Sequence, residues 1–126
     1  MEKIVYKNTL IGIRISVFPK GSTPHTDQQE PIGLLTLNHP KGTYLKAHIH
    51  IPVRRIAPKV QECFIVRKGK VRVDLYGPDK KFVKYIFLRE GQAFLSMNGG
   101  HGFHVLEDCE IWEVKNGPLK KDKVFI

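Results

Sequence analysis

The sequence predicts an all-β protein, a small antiparallel barrel or sandwich, and three observations carry that expectation. Short apolar runs alternate with polar residues at a period of two along most of the chain. Eleven glycines and eight prolines punctuate those runs, a composition suited to many short strands joined by turns. No stretch has the periodicity of a convincing amphipathic helix, and there is no internal repeat. With 126 residues the chain is expected to form one domain over residues 1–126, long enough for a real core and too short to suggest two.

The elements follow in order. Ile11, Ile13, Ile15 and Val17 alternate with Gly12, Arg14, Ser16 and Phe18, which predicts a half-buried strand ending at Pro19. Lys20 to Pro31 is polar and broken by Gly21, Pro24 and Pro31, so it reads as a loop or arm outside the barrel. Ile32 to Leu37 is a short apolar strand, and Lys41-Gly42 turns into a strand over residues 44–51. Pro52 stops that strand, and Val53 to Lys59 is a connection. Glu62 to Arg67 is the next strand, followed by a turn at Lys68-Gly69. Val71 to Tyr76 and Lys81 to Leu88 form a hairpin around Gly77-Pro78-Asp79. Ala93 to Leu95, Phe103 to Leu106 and Ile111 to Val114 complete nine or ten strands, the last two joined by a turn at Glu107-Asp108.

Composition restricts the function classes. No apolar run reaches the ~18 residues of a membrane span, and the N-terminus lacks the uninterrupted apolar segment of a signal peptide. Cys63 and Cys109 are neither a zinc pair nor a disulfide framework, which makes a reduced, cytoplasmic setting the expectation. Cys63 belongs to the core and Cys109 to a turn. The formal net charge of +9 is spread over scattered lysines and arginines with no nucleic-acid-binding spacing beside it. Solvated surface charge explains it, and no specific nucleic-acid partner is expected.

The chemistry concentrates between Gly42 and Gly69. On a strand over 44–51, Tyr44, Lys46, His48 and His50 share one face, and Leu45, Ala47, Ile49 and Ile51 the other. His48 and His50 then point the same way, about 7 Å apart at the backbone, close enough to converge on one metal ion. Glu62 follows with Phe64 and Val66 on its face. Imidazole and carboxylate together suit Fe, Mn, Ni or Zn. His25 and His39, in or beside loops, are expected to be solvated.

Gly42, five residues, His48-Ile49-His50, then Glu62, six residues and Gly69 resembles the first motif of the cupin superfamily, and Gly91 to His101 resembles its second. The resemblance implies a jelly-roll β-barrel holding a divalent transition metal through His48, His50, Glu62 and His101. The sequence departs from the pattern in four places. An inserted loop, Ile51 to Gln61, separates the His pair from Glu62. Met97 replaces a usual Pro, the matching His arrives one residue early and the later Asn is absent, so His104 is a rival to His101 as fourth ligand. Alternation forbids both from projecting inward from one regular strand. The Gly-Gly-His-Gly-Phe run resembles compact prokaryotic cupins, some of them sugar-isomerase-like.

Two function classes follow. In the first the protein is an enzyme, an isomerase, epimerase or oxygenase acting on a small anionic or sugar-like molecule. Tyr44 and Lys46, on the His face, would be its acid or base and its cation. In the second it is a cupin that binds a small ligand or metal without chemistry, and metal-free sugar-nucleotide isomerisation by the histidines is a third course. A homodimer is expected from the resemblance and from an N-terminal strand able to pair with a neighbour's sheet edge.

Overall fold

A computed structural model of the chain describes residues 1–118 and 120–126; among them there are eight strands and no helix. No helix is therefore long and apolar enough to cross a membrane. The first two strands, β1 (Glu2–Tyr6) and β2 (Thr9–Ile15), form a hairpin turned by Lys7 and Asn8, both at positive φ. That conformation matches the right-handed twist of a two-residue hairpin. β2 is buried on both faces near its centre, where a half-buried strand was expected. Gly12 has no side chain, and the Phe94 ring lies directly over it.

β3 (Gly21–Pro24) and β4 (Leu35–Asn38) form a separate two-stranded sheet. The arm expected over residues 20–31 thus contains a strand, although it stays outside the main sheet. The strand expected from Ile32 starts only at Leu35, because the Ile32 N–H is bonded to the Gln61 side chain.

The main sheet is built on β5 (Glu62–Tyr76). Along one edge, Glu62–Ile65 pairs with β7 (Ala93–Ser96) and Lys70–Tyr76 with β6 (Phe82–Arg89). Its other edge runs against β8 (Gly100–Lys115) for its whole length. The order β1-β2-β7-β5-β6, with β8 on β5, makes a curled antiparallel sheet, a half-barrel. The turns expected at Lys68-Gly69 and Glu107-Asp108 are bulges facing each other within one continuous pair, and the register shifts between Val66 and Val71. Gly69 sits at φ +89°, and a Cβ there would collide with the Asp108 carbonyl. A bulge bends two paired strands together without ending them. That is how four expected short strands become two long ones.

The curl encloses one apolar cluster, including Phe64, Val71, Val73, Leu75, Leu88 and Phe94, and packs Phe103, Cys109 and Ile111 against it. Cys109 therefore lies on β8, half-buried, rather than in a turn. Ile13, Ile15, Cys63, Leu95 and Met97 form a second cluster, covered by Ile32 and Leu34 just ahead of β4.

The strand expected over 44–51 is absent. Residues 40–60 carry no strand, and every one of them is exposed. Alternation predicts which side chains share a face, but a strand also needs an edge to bond. Both edges of β5 are occupied, and the segment does not lie in the sheet.

Candidate functional site

The open side of the half-barrel holds a cleft of about 1040 Å³. Its polar wall is assembled from β5, β7 and β8. Glu62 opens β5 directly opposite Ser96, the last residue of β7, and pairs on its other side with Lys115 at the end of β8. His101 comes from the start of β8. With Phe103 it belongs to the row that packs inward, whereas His104 belongs to the opposite row. The one-face rule for alternate residues thus separates the two histidines as expected.

Four side chains connect in series. The His101 Nε2 lies 2.9 Å from Glu62 Oε2, the Lys115 Nζ lies 2.9 Å from Glu62 Oε1, and His101 Nδ1 lies 3.1 Å from Ser96 Oγ. A carboxylate only accepts hydrogen bonds, so the imidazole donates from Nε2. Nδ1 is then the acceptor, and the Ser96 hydroxyl donates to it. Burial pushes the His101 imidazole below its ordinary value of 6.5, outweighing the opposing pull of Glu62 and Glu113, and the Lys123 charge adds to the lowering. His101 is accordingly neutral at physiological pH, with one proton fixed toward Glu62. Hydrogen bonding to Glu62 raises the Lys115 ammonium above its ordinary value, so it stays charged.

The apolar wall is aromatic. The His101 ring meets Phe64 edge-on at 5.0 Å and Phe103 at 5.8 Å, and those two phenyl rings stand 4.7 Å apart. Lys59 reaches the rim, held by Asn98 Oδ1 at 2.6 Å, and Val124, Phe125 and Ile126 close one flank.

Of the residues singled out from sequence, Glu62 and His101 meet. His48 and His50 do not join them. They lie in the exposed segment with rings 5.1 Å apart, and His48 Nδ1 donates to the Lys46 carbonyl at 2.9 Å. Tyr44 and Lys46 share that segment, and neither lines the cleft. His104 faces away and bonds Asp74 at 2.8 Å. Against burial, hydrogen bonds from Arg72 and His104 hold the Asp74 carboxyl below its ordinary range. His25 is tied to Thr36 and His39 to Ser22, both through side-chain hydrogen bonds. Among the described residues no group of three or more His, Cys, Asp or Glu stands close enough together to hold a metal ion. Two adjacent ligands do not make the four-ligand centre that the resemblance implies, so this arrangement does not fit it.

Sequence reading missed Ser96 and Lys115. Strand alternation places Ser96 on one face of β7, but only the register across β7 and β5 brings it to Glu62. Lys115 depends on the full length of β8, which the Glu107-Asp108 turn signal concealed.

No known protein family, curated protein or solved structure matches the chain.

Proposed function

We propose that the protein is a small jelly-roll enzyme of cupin type that moves protons on a small anionic or sugar-like molecule, an isomerase or epimerase. The supporting observation is the bond between neutral, half-buried His101 and the Glu62 carboxylate at the wall of a cleft. A substrate carbonyl group makes its neighbouring C–H acidic. His101 Nδ1 takes that proton once the substrate displaces the Ser96 hydroxyl, and the electron pair moves to the carbonyl oxygen. The imidazolium formed is stabilised by Glu62, and the negative oxygen by the Lys59 ammonium at the rim. Returning the proton to the former carbonyl carbon, while the proton of the neighbouring hydroxyl passes to the oxygen that took the electron pair, completes isomerisation; uptake of a solvent proton on the opposite face, with His101 releasing its own to solvent, completes epimerisation. The aromatic wall of Phe64 and Phe103 suits the apolar face of a sugar ring.

Titration with sugar phosphates and nucleotide sugars, followed by the ring signals of His101, tests binding. Solvent deuterium entering the substrate carbon tests chemistry. His101→Gln should lose about 10²–10⁴-fold in rate, the usual worth of a positioned proton-transfer group. A His101→Gln variant that keeps full exchange activity, or a cleft that responds to none of these compounds, ends the reading.

One observation favours a second reading, a divalent metal bound by His48, His50, Glu62 and His101. The two pairs of candidate ligands are each already adjacent, His48 with His50 and Glu62 with His101. This reading requires the 44–51 segment to move onto the sheet. Metal content of protein purified without a His tag decides it: His48→Ala and His50→Ala should lower occupancy, and His25→Ala should not. Unchanged metal content in all three removes the metal reading and leaves the proton-transfer reading standing.

A further inference from the structure

Ser96 ends β7 and His101 lies at the start of β8, so only the turn from Met97 to Gly100 separates them. That turn is held from several sides. The Met97 and Asn98 N–H groups both donate to the Ile11 carbonyl, and Asn98 Nδ2 donates to the Leu10 carbonyl at 2.8 Å. Gly99 takes φ +150°, and a Cβ there would strike the Tyr76 carbonyl. The His101 ring is held in turn by the edge-on rings of Phe64 and Phe103. Side chains fixed in this way by their surroundings are preorganised for chemistry.

A serine hydroxyl is a weak nucleophile until a neighbouring neutral imidazole takes its proton. Ser96 Oγ lies 3.1 Å from His101 Nδ1, the ring's other nitrogen lies 2.9 Å from Glu62 Oε2, and Lys115 occupies the remaining carboxylate oxygen at 2.9 Å. Burial keeps the imidazole neutral and able to accept. Nucleophile, base and orienting carboxylate in that order are the parts of acyl transfer, and they are recognised by role and geometry whatever the fold or chain order. Ser96 is buried between β2 and β5 and lines the cleft.

We propose that Ser96 is a nucleophile, and that the cleft hydrolyses short-chain carboxylic esters through an acyl-Ser96 intermediate, an activity separate from isomerisation. A ketone presents His101 with an acidic C–H; an ester presents Ser96 with an electrophilic carbon. Ser96 Oγ bonds to that carbon, its proton passes to Nδ1, and the carbonyl electron pair moves to oxygen. Lys59, held at the rim by Asn98 Oδ1 at 2.6 Å and shared with Glu30 at 3.6 Å, supplies the positive charge for that oxygen. When the pair returns, the bond to the alcohol oxygen breaks and the alcohol leaves with the proton from Nδ1. Water then repeats the sequence: it gives its proton to Nδ1, bonds to the acyl carbon and releases a carboxylic acid, and the proton returns to Ser96. The acyl chain lies against Phe64 and Phe103.

An alkyl fluorophosphonate traps the nucleophile irreversibly: Ser96 Oγ bonds to phosphorus and fluoride leaves. Peptide mass mapping of the treated wild-type protein should place the adduct on Ser96, and His101→Gln should slow labelling by about 10²–10⁴-fold. Hydrolysis of p-nitrophenyl butyrate by wild type should exceed that by Ser96→Ala by at least the same factor, with circular dichroism confirming that the variant is folded. If Ser96→Ala does not fold, the adduct map of the wild type decides alone. No adduct on Ser96, labelling only of lysines or of exposed His48 and His50, equal labelling of wild type and His101→Gln, or equal ester hydrolysis by wild type and folded Ser96→Ala would each overturn the proposal. Solvent deuterium exchange into sugar substrates is read separately on the wild type. Exchange without a Ser96 adduct removes the esterase and leaves the isomerase reading, and an adduct without exchange does the reverse.

Discussion

Glu62 and His101, from the starts of the two longest strands, meet at 2.9 Å although they are not opposite in the β5–β8 register. Glu62 pairs with Lys115 and His101 with Leu75, so the contact crosses the mouth of the curled sheet instead of following a ladder. Burial lowers the His101 value and Glu62 partly restores it. Removing the carboxylate charge in Glu62→Gln should therefore drop the His101 midpoint further, as read from its ring signals against pH. A rise would mean that the two groups do not interact as described.

The same depressed value fixes a stability trend. The unfolded chain takes up a His101 proton near 6.5 and the folded chain only at lower pH. Between those two values the unfolded state binds more protons, so this residue reduces stability as pH falls through 6.5 toward the folded value, and not above it. Urea unfolding of wild type and His101→Gln across pH 7 to 5 should show the wild-type curve falling more steeply. Parallel curves would contradict the assignment.

Cys63 gives a chemical readout of the second core cluster. Burial pushes its thiol up to about 11, so thiolate is scarce at pH 8. A disulfide reagent at that pH should label Cys109 in native protein and reach Cys63 only after denaturation. Rapid native labelling of Cys63 would mean that the cover formed by Ile32 and Leu34 opens readily.

Gly69 tests the bulge that turns four expected strands into two. Its positive φ and the Asp108 carbonyl beside it leave no room for a Cβ. Gly69→Ala should cost about 1–3 kcal/mol by urea unfolding, whereas Gly102→Ala, with open space around it, should be near neutral. Equal effects would place the bend elsewhere.

Much of the sheet was legible because alternation and turn chemistry are local. The β5–β6 hairpin follows from Gly77-Pro78-Asp79, where Asp79 accepts the Lys81 N–H, and the inward aim of His101 follows from strand parity. What local signals could not supply was whether an edge exists to receive a strand. His48 and His50 share a face only if residues 44–51 bond to something, and within one copy they do not. Lys68-Gly69 carries the same residues whether the chain reverses or merely bends; the opposing bulge on β8 decides that. Ser96 and Lys115 reach Glu62 through inter-strand register, a property of three strands at once.

Gln61 shows how one buried side chain ties the connection between β3 and β4 to the start of β5. It is fully buried; its Oε1 accepts from the Ile32 N–H and its Nε2 donates to Glu30 at 2.6 Å. Truncation in Gln61→Ala leaves the Ile32 N–H and the Glu30 carboxylate without these partners, and stranded buried groups cost about 1–3 kcal/mol. Hydrogen exchange should quicken at Ile32 and its neighbours before the β5–β6 hairpin is affected, since only the former lose a bond. Gln61→Glu separates geometry from charge. It keeps an acceptor for Ile32 but sets a second carboxylate against Glu30, so its deficit relative to wild type should shrink in a Glu30→Gln background. A deficit unchanged by Glu30→Gln would mean that Glu30 does not face Gln61 in solution, and that the segment ahead of β4 is held by the Ile32 and Leu34 contacts alone.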